Sequence, residues 1–292
     1  MWVRWYGPIV ERFRGWAATE PSVRAAMIVG SQARTIEPAD EWSDLDVVIF
    51  HTSPEKLISS PDWVGQFGTV VLTFVEPTAV LQSRERRVLY ADGKDVDFAV
   101  FPSSALGTFA HSAEAGAVLA RGCEVLVDKD LQLATLKDAV TQQTAGQSRS
   151  PSEEQFQVAV ADFWYHVLWA AKKLRRGELW TAKLAIDCYL KRLLIEMIEW
   201  QAWVRHGKEV DVWHSGRFFD RWSDPDVRAR IPATFSRYEL SDLTRGLNET
   251  SQVFSEIAHE VARGHRWNHP DETETAVRRL TDLTLRENTA NQ

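Results

Sequence analysis

Ser43-Asp44-Leu45-Asp46-Val47-Val48-Ile49-Phe50 is the stretch on which the reading of this chain turns. Two carboxylates open a run that is otherwise apolar. In a strand, residues two apart share a face, so Asp44 and Asp46 project together, roughly 7 Å apart along the chain. Leu45, Val47 and Ile49 then point to the opposite face and bury. A carboxylate carried into apolar surroundings is costly unless a cation pairs with it. A pair so placed can bracket two hard cations about 4 Å apart, the arrangement of two-metal phosphoryl and nucleotidyl transfer. The commoner fate of an Asp-x-Asp sequence is a solvated strand end, and the apolar run that follows weighs against it here.

Upstream, Met27-Ile28-Val29-Gly30-Ser31 is an apolar strand stopped by glycine and a hydroxyl residue, with Asp44 fourteen positions beyond Gly30. A turn of this kind offers backbone N–H groups and the Ser31 hydroxyl to an anion as the next helical turn begins. It is not a Walker A loop, because no Gly-Lys-Ser/Thr follows. Downstream, Val96-Asp97-Phe98-Ala99-Val100-Phe101 carries a third carboxylate inside an apolar run. Asp97 should share a face with Ala99 and Phe101, and it converges with Asp44 and Asp46 if the two strands are adjacent. Asp95 has the same parity, but it lies beside Lys94 in a turn and can solvate itself.

The bulk properties frame these motifs. A chain of 292 residues, 44% apolar and 26% charged, has room for two globular domains. A net charge of −7 argues against nucleic acid as partner and suits a cationic small molecule. Two cysteines, Cys123 and Cys188, are too few for a disulfide framework or a zinc cluster and fit a reducing, cytoplasmic setting. The first residues, Met1-Trp2-Val3-Arg4-Trp5-Tyr6, lead into no apolar signal core, and no run reaches the roughly 20 apolar residues of a membrane helix. The expectation is a monomer or weak homodimer.

Along the first half, Ile9–Trp16 reads as a helix, and Ala25–Val29, Leu45–Phe50, Thr69–Val75, Arg87–Ala91, Val96–Phe101 and Cys123–Val127 as strands. Asp92-Gly93 is a hairpin turn, so the Asp97 strand should run antiparallel to its neighbour in a mixed sheet. From Thr141 to Ser152 the composition turns polar and marks a boundary, giving domains over residues 1–145 and 150–292. Ser150-Pro151-Ser152-Glu153 reads as a capping box, after which the pattern is helical. Phe156, Val160, Phe163, Trp164, Val167, Leu168 and Ala171 recur at helical spacing, as do Leu184, Cys188, Lys191, Leu194, Ile195, Ile198 and Trp203. Further helices are expected near Leu240–Gly264 and Asp271–Leu285. Most of the thirteen tryptophans lie outside the three-aspartate region; Trp164, Trp169, Trp180, Trp200 and Trp203 are read as bundle packing rather than stacking platforms. His265 and His269 have a zinc-like spacing if helical, but no third ligand is evident and Pro270 breaks the helix.

Hydrophobic-Gly-Ser, Asp-hydrophobic-Asp and hydrophobic-Asp-hydrophobic, in that order, resemble the signature of the polymerase-β-like nucleotidyltransferases. Within that superfamily the chain looks like the aminoglycoside 6-adenylyltransferases, the streptomycin adenylyltransferases. The likeness extends through Phe163-Trp164-Tyr165, Ala171-Lys172-Lys173-Leu174, Glu196-Met197-Ile198-Glu199-Trp200 and Phe254-Ser255-Glu256-Ile257-Ala258, nearly the whole chain. It implies an α+β chain: an N-terminal nucleotidyltransferase domain with a mixed sheet and flanking helices, then a C-terminal helical bundle that binds the acceptor. It further implies magnesium, as two ions on Asp44, Asp46 and Asp97, and ATP as co-substrate held by Gly30, Ser31, Arg34 and Lys172, with Lys183 as a further cation. A cationic aminoglycoside, streptomycin foremost, would meet Glu178 and Asp187. One departure is Gln32, where relatives carry Arg directly after Gly-Ser; Arg34 is the stand-in. Other acceptors, a lincosamide or a protein hydroxyl, and a non-catalytic nucleotide-binding protein are the rival readings.

Overall fold

The computed structural model describes residues 5–34, 36–78, 83–109, 112–133, 151–208, 210–212 and 216–286. The chain forms two compact units, residues 1–147 and 148–292. Of the polar stretch read as the boundary, the part up to Ser150 lies outside the described residues.

In the first unit the elements run α1 (Gly7–Thr19), β1 (Val23–Val29), β2 (Leu45–His51), α2 (Pro54–Ser59), β3 (Val70–Pro77), β4 (Arg84–Tyr90), β5 (Asp95–Pro102), α3 (Leu106–Phe109), α4 (Ala113–Ala120) and β6 (Glu124–Asp128). The strands form one mixed sheet in the order β3-β4-β5-β2-β1-β6. Among the described residues only β2 and β5 pair in parallel; β5 is antiparallel to β4 across the Asp92-Gly93 turn, as that turn predicts. Period-two alternation divides the apolar residues between two layers. Leu45, Val47, Ile49, Val96, Phe98 and Val100 pack with α1 residues Ile9, Val10 and Phe13 and with Trp63 and Phe67 on one face. Val48, Phe50 and Phe101 pack with Ala25, Met27, Phe109 and Leu119 on the other. Burying each large side chain in these layers contributes about 1.5–3 kcal/mol.

The second unit is helical: α5 (Glu153–Arg175), α6 (Leu179–Leu184), a π-turn (Ala185–Tyr189), α7 (Leu190–His206), α8 (Phe219–Trp222), α9 (Pro225–Thr234), α10 (Leu240–His265) and α11 (Asp271–Arg286). A capping box does open α5, but it joins Ser152 to Gln155, one pair further on than expected, with Pro151 before the cap. Gln155 can return a hydrogen bond to the cap as well as a glutamate does. Phe163 of α5 stacks on Phe254 of α10, ring centroids 3.6 Å apart, at the centre of the core.

The apolar spacing expected from Leu184 to Trp203 fails at its start. Leu184 and Cys188 are exposed and Ala185, Ile186 and Leu190 are buried instead, whereas Leu194 and Ile198 further on are buried as the spacing predicts. The π-turn inserts an extra residue and rotates the buried face away from the α-helical projection. Trp164 and Trp200 are buried and Trp169 and Trp203 pack against the same core, whereas Trp180 is 69% exposed.

Candidate active site

Strand register assembles the site. Asp46 lies directly across from Asp97 in the parallel β2–β5 pair, Val29 is across from Asp46, and Arg87 is across from Asp97. Residues paired across strands share a face, so this row places two carboxylates and a guanidinium side by side beyond the end of β1. Asp44, just before β2, joins them: carboxylate oxygens of Asp44, Asp46 and Asp97 all lie within 4.8 Å of one another. Asp95 is exposed at the start of β5 and does not take part.

Gly30 closes the row from the β1 side. Its φ is +67°, and a Cβ built there would fall 2.1 Å from Asp46 Oδ2. Glycine is therefore required twice over, by the left-handed backbone and by the carboxylate resting where a side chain would be. The turn Gly30–Gln32 is backed by Gly122, whose Cβ would fall 2.3 Å from the Ala33 carbonyl. Ser31 is buried and its hydroxyl donates to the Asp44 carbonyl at 3.2 Å, so this hydroxyl steadies the aspartate loop. Gln32 is likewise buried and donates to the Ser43 carbonyl at 3.3 Å. The Tyr6 hydroxyl donates to the same carbonyl at 3.0 Å and to the Asp95 carbonyl at 3.2 Å. Three side chains thus hold Ser43–Asp44 in place. Arg34 donates from Nε to the Glu37 carbonyl.

Electrostatics distinguish Asp97 from its neighbours. Burial pushes its carboxyl up to about 6, against the pull of Arg87 and with the push of Glu85 and Asp44. Arg87 lies 3.3 Å from Asp97 Oδ2 and also pairs with Glu85 at 2.9 Å and Glu76 at 2.6 Å. Neither Arg87 nor Tyr6 was singled out from sequence. The available signal was period-two parity: in Arg84-Glu85-Arg86-Arg87, Arg87 shares a face with Glu85, while Arg86 points the other way and donates to the Leu57 and Ile58 carbonyls at the end of α2.

The remaining expected residues lie in the helical unit. Lys172 is exposed on α5. Glu178 pairs with Lys173 at 2.7 Å and Arg176 at 2.6 Å. Asp187, in the π-turn, accepts from Lys183 and from the Ser236 hydroxyl at 3.1 Å and lies 3.8 Å from Lys191. Lys183 also donates to the Ser236 carbonyl. A different group surrounds an open cavity of about 340 Å³ between α5 and α7, lined by Glu154, Asp162, Arg192 and Glu196 among others. Asp162 accepts from the Tyr189 hydroxyl at 2.9 Å and lies 2.7 Å from His166 Nδ1. Next to Glu196, burial pushes Glu199 up to about 7. His265 and His269 do not form a pair: α10 ends at His265, which stacks on Trp267, and the left-handed Arg266 turns the chain before His269.

Strand-borne carboxylates meet beside a Gly-Ser turn on a mixed sheet, and the family match places the chain in the class of nucleotidyltransferases. A family model described as streptomycin adenylyltransferase matches residues 4–282, and the chain belongs to that family. Aminoglycoside 6-adenylyltransferase from Campylobacter jejuni is 20% identical over 259 residues, covering 87% of each chain, and its namesake from Bacillus subtilis (strain 168) is 21% identical over 271 residues, covering 90% of this chain and 92% of the relative. A crystal structure of an aminoglycoside 6-adenyltransferase from Bacillus subtilis overlays 96% of this chain and 97% of its own with a TM-score of 0.46 and 17% identity, too loose for any residue to be carried across. The chain is thus an enzyme, and among the described residues no helix is long and apolar enough to cross a membrane.

Proposed function

We propose that the protein transfers AMP from ATP to a hydroxyl of an aminoglycoside, streptomycin foremost, releasing pyrophosphate. The single observation that carries this reading is the meeting of Asp44, Asp46 and Asp97 within 4.8 Å beside Gly30. Three hard oxygen donors, one of them buried against its own charge, fit magnesium. Asp44, Asp46 and Asp97 would hold magnesium, which would supply neutralisation of phosphate charge.

The chain's own groups do the rest. The Gly30 turn, with no side chain in the way, lets the backbone approach the triphosphate closely. Asp97, whose carboxyl burial raises to about 6 in the metal-free fold, would either complete the metal site or take the proton of the acceptor hydroxyl. Arg87 holds Asp97 oriented and limits how far its affinity for protons rises. In the helical unit, residues 148–292, acidic side chains meet the acceptor's cationic groups. Glu178 and Asp187 already face internal cations, so Glu154, Asp162 and Glu196 around the cavity are the better placed for this task. Two related proteins bearing the name aminoglycoside 6-adenylyltransferase support the choice of acceptor class.

The test is incubation with α-labelled ATP, magnesium and, separately, streptomycin, kanamycin and lincomycin. Labelled AMP on streptomycin with stoichiometric pyrophosphate is the expected result. Label on lincomycin alone would replace the acceptor, and ATP binding without pyrophosphate release would contradict catalysis.

A further inference from the structure

The corner between α10 and α11 holds a second cluster of ligand-type side chains, built from different chemistry. His259 of α10, His269 of the connection and Asp271 at the start of α11 bring two imidazole nitrogens and a carboxylate oxygen within 4.8 Å of one another. The two rings stack with centroids 3.7 Å apart. His259 Nε2 lies 2.8 Å from Asp271 Oδ1, and His269 Nδ1 lies 3.0 Å from the same oxygen.

Proton accounting makes this arrangement unusual. His259 Nδ1 faces the Ser255 carbonyl at 2.8 Å, an oxygen that only accepts, so Nδ1 carries the proton. The neutral ring then aims the Nε2 lone pair at a carboxylate oxygen, acceptor against acceptor. His269 differs: with its proton on Nδ1 it donates to Asp271, and the buried Nε2 lone pair is then the one left without a donor. Its side chain is 5% exposed, and its Nε2 is buried without a hydrogen-bond partner among the described residues. That nitrogen faces Glu274 Oε2 at 3.7 Å, which is also buried and unpartnered. A proton on Nε2 directed at Glu274 leaves Nδ1 bare and pointing at Asp271. A second proton on His259 alone would also settle its contact with Asp271, as one imidazolium stacked on a neutral His269. One divalent cation among the three atoms resolves the conflict outright.

We infer that His259 Nε2, His269 Nδ1 and Asp271 form a site for a borderline transition-metal ion, zinc foremost, that staples α10 to α11. Two imidazoles and one carboxylate are a zinc-type donor set, whereas the three aspartates of the first unit offer only hard oxygen. Glu274, fixed at Oε1 by Ser255 at 2.6 Å and Arg278 at 2.8 Å, is the outer carboxylate that orients a ligating histidine. His259 and Asp271 are partly open to solvent, which leaves water for a remaining position.

The test uses the full chain, stripped with chelator and supplied with excess magnesium, titrated with zinc against a chromogenic chelator. One zinc per chain should bind, also in an Asp46→Asn background, and cobalt in its place should give a ligand-field band. His259→Ala and His269→Ala should each lose at least about 100-fold in affinity, and Glu274→Gln about 10–100-fold. Asp271→Asn alters a side chain that is 70% exposed, so it cannot empty the core and decides the matter if a histidine variant fails to fold. Failure of the wild-type chain to retain zinc, or unchanged zinc affinity in Asp271→Asn, would overturn the proposal. Neither result bears on AMP transfer.

Discussion

Asp97→Asn should abolish activity and yet make the metal-free protein more stable at alkaline pH. The ordinary value of this carboxyl is 3.8, and in the fold burial raises it to about 6. As pH rises past 4 the unfolded chain gives up this proton while the native protein keeps it, so stability falls until both are ionised above 6. The gap corresponds to about 3 kcal/mol, which the Asn variant does not lose. For a unit of this size that is a relative gain of about 6–12 °C in melting temperature on moving from pH 4 to pH 8. Thermal melts of both proteins in chelator at the two pH values measure it. Added magnesium should narrow the difference at pH 8, because a bound cation favours the ionised wild-type carboxylate. A variant that loses stability relative to wild type between pH 4 and pH 8 would refute the reasoning. It would mean that the Arg87 pair outweighs the cost of burial.

Arg87→Gln removes the cation that restrains Asp97, so the acidic limb of the pH–rate profile should move to higher pH; an unmoved limb would dissociate Asp97 from the proton transfer. Gly30→Ala places a methyl group 2.1 Å from Asp46 Oδ2 at a φ of +67°, so AMP transfer should fall at least about 100-fold and urea denaturation should show a loss of about 1–3 kcal/mol. Phe254→Ala, which deletes one half of the Phe163 stack, should destabilise the helical unit by about 3–5 kcal/mol in the same assay.

The sheet was legible because its signals are local. The alternation after Asp44, the Asp92-Gly93 turn and the stop at Gly30 each dictate backbone geometry within a few residues, and register then brings Asp97 beside Asp46. What sequence hid were partners delivered by the fold. Tyr6 lies 37 residues from the Ser43 carbonyl it holds. Arg87 opens a segment read from sequence simply as a strand, and only pairing with β5 turns it onto Asp97. Ser31 was expected to face phosphate, and the fold adds a role that sequence did not suggest: its hydroxyl donates to the Asp44 carbonyl. In the helical unit the projection failed around Ala185–Tyr189, because a π-turn leaves no compositional mark and rotates the face locally, while Leu194 and Ile198 beyond it are buried as expected. The capping residue of α5 was misplaced for a similar reason, since Ser150 and Ser152 offer equivalent oxygens two residues apart.

Manganese binding followed by electron paramagnetic resonance, with and without a non-hydrolysable ATP analogue, probes the aspartate cluster most directly. Wild type should bind manganese more tightly when the analogue is present, and Asp46→Asn should lose that enhancement while keeping its circular dichroism spectrum. Equal manganese binding by the two proteins would contradict the assignment of Asp44, Asp46 and Asp97 as the ion-holding centre.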